Sequence, residues 1–159
     1  MQKIRNLLIL ILLLFETTVK SQSNINNFDS TLWVNSFEKA KTIAMKKNFS
    51  VLLFFTGSDT CSNCIKMQKN ILETQEFKDY SKTTFVLYHV DYPKSKSNKL
   101  SLAQLNKNKE LVIKYNPGGK LPQIVVLDPK GGVKATANFL DIPVSEYLPQ
   151  FKALLNMFK

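Results

Sequence analysis

Cys61 and Cys64 are the two cysteines of this 159-residue chain, and they stand two residues apart as Cys61-Ser62-Asn63-Cys64. A thiolate can attack a disulfide sulfur, and a second thiol three positions on can displace what the first has captured. A bridge at this spacing closes a very small loop, so it constrains little of the unfolded chain and makes a poor staple. The spacing therefore argues for redox chemistry. A zinc site needs about four ligands, and only His89 and scattered carboxylates could join these two. Haem attachment needs a histidine directly after the second cysteine, where Ile65 stands. An inert bridge remains the plain alternative at this point, and no metal is expected.

The pair must be held by something. Val51 to Phe55 is an unbroken apolar run bounded by polar residues, as in a strand covered on both faces of a sheet. Thr56 to Thr60 reads as loop. A helix follows, with Cys64, Met67, Ile71 and Leu72 inward and Lys66, Lys69, Asn70 and Glu73 outward. The first turn of that helix offers unpaired N–H groups and a positive dipole end, which favour a thiolate. In such sites the thiol pKa falls from about 8.5 to between ~3.5 and ~7.5. Cys61 at the boundary is then the nucleophile, and Cys64, one turn deeper, the resolving thiol. Asp59 would oppose the thiolate by its charge, and Lys66 would favour it weakly.

Upstream, Thr31 to Val34 reads as a short strand. A helix from Asn35 to about Asn48 follows, with Asn35 and Glu38 as a capping-box-like start. Downstream, Phe85 to Val90 reads as a central strand, and Lys94 to Asn98 as a polar excursion. Helical signals run from Leu100 to Lys107 and again from Leu111 to Tyr115. Gln123 to Leu127 is a buried strand, Asp128 to Gly132 a turn, and Val133 to Ala137 an antiparallel return. A closing helix spans Ser145 to Phe158, with Pro149 expected in its first turn. The order β-α-β-α-β-α-β-β-α predicts an α/β fold, a central mixed sheet with helices on both faces.

Two segments carry a family resemblance. Leu53 to Met67 (L-F-F-T-G-S-D-T-C-S-N-C-I-K-M) resembles the exported thioredoxin-like proteins, whose active-site segment reads F-T-G-S-D-W-C-x-x-C-x-K. Tyr115 to Asp128 (Y-N-P-G-G-K-L-P-Q-I-V-V-L-D) is similar to the K-Y-x-V-x-x-x-P-T-x-x-x-L-D segment of thioredoxins. His89-Val90-Asp91 matches a V-D that ends the central strand. The resemblance spans Trp33 to Phe158. It implies the thioredoxin fold, dithiol–disulfide exchange through a Cys61–Cys64 redox disulfide, no dissociable cofactor, and protein thiols or disulfides plus a recycling redox protein as partners. It also implies a cis Leu121–Pro122 bond, leaving the Leu121 backbone to bind an extended partner segment near Cys61.

Three positions depart from that pattern. Thr60 stands where a tryptophan precedes the first cysteine, and Gln123 where a threonine follows the proline. Phe54 or Phe55 stands where thioredoxin carries a buried aspartate that serves the resolving cysteine. His89 is a stand-in only if it reaches the thiol. These departures keep a second reading open, a non-catalytic binding module with a stable bridge.

Residues 1–21 have the secretory signal layout: Lys3 and Arg5, then nine apolar residues from Leu7 to Phe15, then Val19-Lys20-Ser21. The apolar run is short of the roughly 20 residues a membrane-spanning helix needs. Residues 22–30 read as a flexible leader and 31–159 as one domain, in an exported, periplasmic and monomeric protein. An uncleaved signal would tether it to the membrane instead. Loss of Lys3, Arg5, Lys20 and Glu16 would lower the net charge from +10 to +8. The lysines are scattered, without the clustered patch that nucleic acid requires.

Overall fold

The computed structural model describes residues 31–57, 60–93 and 100–157. The export signal read at residues 1–21, the leader at 22–30, Asp59, the excursion at 94–98 and Phe158 lie outside the described residues.

Strand β1 (Trp33–Val34) leads into helix α1 (Phe37–Lys47), then β2 (Ser50–Thr56). Helix α2 (Ser62–Met67) runs directly into a π-helical turn (Gln68–Leu72) and is followed by α3 (Gln75–Lys82) and β3 (Phe85–Asp91). Helix α4 (Leu102–Tyr115), strands β4 (Gln123–Leu127) and β5 (Val133–Asn138), and helix α5 (Val144–Asn156) complete the chain. The sheet order is β1-β3-β2-β4-β5. β3 runs parallel to both β1 and β2, whereas β4 is antiparallel to β2 and to β5. The mixed sheet is as expected.

Side chains alternate across a strand, and β2 shows why its apolar run has no polar gaps. Val51, Leu53 and Phe55 face one core cluster, with Ala40 and Ala44 of α1 and Leu111 and Tyr115 of α4. Leu52 and Phe54 face the other, with Met67, Ile71 and Leu72 after the cysteines, Phe77 of α3, and Tyr147, Leu148 and Phe151 of α5. Both faces of β2 are thus covered, and no helix among the described residues is long and apolar enough to cross a membrane.

Several local expectations are corrected. Ser36, not Asn35, caps α1, its hydroxyl accepting the Lys39 N–H at 3.4 Å. Asn48 ends that helix in the left-handed region with φ 53°, which asparagine tolerates. The helix after the cysteines changes to π-helical winding from Gln68 to Leu72, and a separate α3 that was not expected follows, capped by Thr74, whose hydroxyl accepts the Phe77 N–H at 3.4 Å. The two helical signals near 100–115 form one helix, with the Ser101 hydroxyl accepting the Gln104 N–H at 3.2 Å. Pro149 lies beyond the first turn of α5. The carbonyl it leaves without a helical donor is that of Ser145, and both residues are exposed, so water can take the bond.

Candidate active site

The buried end of β2 delivers the chain straight to the cysteines. After Thr56, Gly57 turns the backbone, and its carbonyl accepts the N–H groups of Thr60 and Cys61, each at 3.1 Å. Cys61 is the N-cap of α2, with extended backbone. Its Sγ accepts the Cys64 N–H at 3.2 Å, and its carbonyl accepts the same N–H at 3.0 Å. Cys61 and Cys64 are joined by a disulfide with their Cα atoms 5.2 Å apart. Cys61 keeps partial exposure, whereas Cys64 has none. Cys61 is therefore open to solvent, and Cys64 lies behind it.

Leu121 and Pro122 lie against the same loop. The Leu121–Pro122 peptide is cis, as the resemblance implies. A Cβ at Gly57 would stand 3.2 Å from Leu121 Cδ1, 3.6 Å from the Tyr92 carbonyl oxygen and 4.0 Å from Thr60 Oγ1. Only the Leu121 contact is tight, so a side chain at Gly57 would require the Leu121 side chain to give by a few tenths of an ångström. Pro122 is buried and Leu121 partly exposed. Gln123, in the threonine position of the pattern, is buried as the first residue of β4 and pairs with Phe55.

The buried aspartate of the thioredoxin pattern has no counterpart on the Phe55 side, where Phe55 is wholly buried among apolar groups. Carboxylate and imidazole instead meet on the opposite face, at the Thr56 end of β2. Thr56 donates its hydroxyl proton to Asp91 Oδ1 at 3.0 Å. Thr56 Oγ1 itself lies 2.6 Å from His89 Nε2. A hydroxyl has one proton, so His89 Nε2–H is the donor and the imidazole is held in that tautomer. Asn108 of α4 clamps the strand end by donating to the Asp91 carbonyl at 2.7 Å. The His89 ring stacks on Phe54 with centroids 5.9 Å apart and meets the edge of Trp33. This burial pushes its pKa down to about 4, with the Asp91 charge acting in the opposite direction. The sequence shows His89 and Asp91 in one strand-ending motif but not their link to Thr56. It is the residue-for-residue register Phe54–His89 and Thr56–Asp91 that joins them.

Lys66, one turn past Cys61, forms an exposed ion pair with Asp141 at 2.7 Å, tying the redox helix to the loop before α5. A groove of about 250 Å³ lies between β5 and α5, and one of about 180 Å³ by the start of α1. Neither is lined by the cysteines, Leu121 or Pro122. Among the described residues, no cluster of three or more histidine, cysteine or carboxylate side chains is placed to hold a metal.

Residues 37–138 match the model of the thioredoxin-like domain family. The disulfide bond reductase DsbH of Chlamydia pneumoniae is 33% identical over 122 residues, which cover 77% of this chain and 72% of that protein. The thioredoxin-related protein DsbJ of the same organism is 27% identical over 127 residues, 80% of this chain but only 35% of its own length. The solved structure of a DsbH oxidoreductase superposes with a TM-score of 0.70 at 30% identity, covering 86% of this chain and 96% of that one. The fold and its paired cysteines define a thiol–disulfide oxidoreductase. The chain belongs to the thioredoxin-like family.

Proposed function

We propose that this protein exchanges disulfides with protein partners outside the cytoplasm, Cys61 attacking and Cys64 resolving. The observation that carries this reading is the asymmetry of the pair: Cys61 is partly exposed at the helix start, and Cys64 is sealed behind it. In the reductive direction, the Cys61 thiolate attacks one sulfur of a partner disulfide. A Cys61–partner bond forms, and the partner's other sulfur leaves as a thiolate. The Cys64 thiolate then attacks Cys61 Sγ and releases the first partner sulfur. Two electrons pass to the partner, and the Cys61–Cys64 disulfide is left for a dithiol donor to reduce. The Cys64 N–H that points at Cys61 Sγ stabilises the thiolate when the pair is reduced. Direction follows the likeness to a protein named as a disulfide bond reductase.

Leu121 and Pro122 form the platform that holds an extended partner segment, with the Leu121 backbone bonding to it as an added strand would. Their support is the contact of Leu121 with Gly57, the residue whose carbonyl holds the Cys61 N–H. Residues 1–21 serve as a cleaved export signal and 22–30 as a leader, on the strength of the basic, apolar and small-residue order. N-terminal sequencing of the exported protein should begin at Gln22.

Trapping tests the roles directly. The Cys64→Ser variant should accumulate a mixed disulfide with insulin, whose own disulfides are intact, or with native partners, because capture proceeds and release does not. Cys61→Ser should trap nothing and should abolish insulin-disulfide reduction. Insulin reduction that survives Cys61→Ser would end this reading.

A further inference from the structure

We infer that Tyr92 selects partners, its exposed side chain receiving an apolar residue that flanks the partner's reactive cysteine. The inference rests on the exchange reading above and adds a specificity residue to it.

An extended segment approaching Cys61 passes over the surface around Gly57. Thr60, directly before Cys61, contributes only a methyl and a hydroxyl there. Leu121 contributes one half-covered branched side chain, close against Gly57. Tyr92 supplies what these lack, a large apolar surface open to solvent at 39% of its full exposure. Its backbone N–H is fastened to the strand end that leads into the redox loop. The Tyr92 N–H donates to the Thr56 carbonyl at 2.8 Å, and its own carbonyl faces Gly57. Pro93 follows, which restricts Tyr92 to extended backbone. A ring presented on a fixed backbone, with two side-chain torsions, orders at small entropic cost when a partner covers it. An uncovered ring on a backbone that borders Gly57, the residue whose carbonyl holds the Cys61 N–H, offers an apolar or aromatic side chain next to the partner cysteine a surface to bury against. An acidic or small neighbour gains nothing from the same surface.

The test compares three disulfide probes on the intact protein. Two are peptide disulfides identical except for Phe or Asp beside the attacked cysteine, and the third is hydroxyethyl disulfide, which has no flanking residue. The wild type should show a lower KM for the Phe peptide than for the Asp peptide. Tyr92→Ser should raise the KM for the Phe peptide about five- to tenfold, leaving kcat, the Asp peptide and hydroxyethyl disulfide unchanged. Tyr92→Phe should keep the preference. Equal KM values for the two peptides with the wild type overturn the inference without needing a variant, as does a Tyr92→Ser effect that is the same for both. Should the wild type fail to reduce hydroxyethyl disulfide and both peptides, the exchange reading itself fails, a result distinct from loss of selectivity.

Discussion

The two faces of β2 part company at its last residues. On one face Val51, Leu53 and Phe55 stay apolar to the end and pack against α1 and α4. On the other, Leu52 and Phe54 give way to Thr56, which bridges His89 and Asp91 just before the redox loop. Because side chains alternate, a displacement of one residue along a strand is a change of face. The polar group near the redox loop is therefore not simply shifted from the Phe55 position of the thioredoxin pattern. It sits on the side of the sheet that also carries the cysteine helix, since Met67, Ile71 and Leu72 belong to that cluster. Both faces carry core packing; the Leu52 and Phe54 face also fixes the end of the strand from which Cys61 is hung.

The largest effect expected from this contrast is at Phe55. Phe55→Ala leaves a cavity in a fully covered core and should cost about 3–5 kcal/mol in urea unfolding. Hydroxyethyl disulfide reduction by the folded fraction should change little. A large rate loss at full folding would mean that the apolar face takes part in the chemistry.

The polar face should show itself as a pH dependence. Burial holds His89, the one histidine of the chain, below its ordinary 6.5, at about 4. Between those values the unfolded chain binds a proton that the folded chain does not, so stability rises with pH across the window. It is lost as pH falls from 6.5 toward 4, by at most about 3 kcal/mol, and this group adds nothing further below that. His89→Asn should flatten the slope between pH 5 and 6.5, where few carboxylates titrate. An unchanged slope would place the imidazole in water.

Thr56→Val keeps the shape of the side chain and removes the bridging hydroxyl, so Asp91 loses a donor and His89 an acceptor. A cost of about 1–3 kcal/mol is expected, measured as a shift in urea midpoint. The smallest effect belongs to the exposed Lys66–Asp141 pair. Asp141→Asn should cost under about 1 kcal/mol and should vanish in 1 M salt.

Much of this was legible beforehand because the informative residues are local. The five-residue apolar run of β2, the cysteine spacing and the Leu121-Pro122 landmark need no tertiary knowledge to be noticed. What escaped depends on distant partners. Helix α3 reads as polar (Q-E-F-K-D-Y-S-K), and its fully covered positions are Phe77 and Ser81; packing of Phe77 into the cluster beneath β2 and β3 gives it a place that periodicity could not show. The Thr56–His89–Asp91 bridge is invisible until β2 and β3 are set in register. Tyr92 looks like an ordinary loop aromatic until its backbone is seen bound to Thr56. Pro149 lies deeper in α5 than its first turn because the rule against helical proline weighs less where the freed carbonyl is exposed.

The central claim is that the Cys61–Cys64 bridge is a working redox couple rather than a staple. Its equilibrium potential against glutathione, measured on the purified protein by alkylation of the freed thiols, tests that most directly. A value above about −300 mV, where biological dithiols can open and reform the bridge, is the expected result. A value below that limit, in the range of structural disulfides, would contradict the account and leave a binding module with an inert bridge.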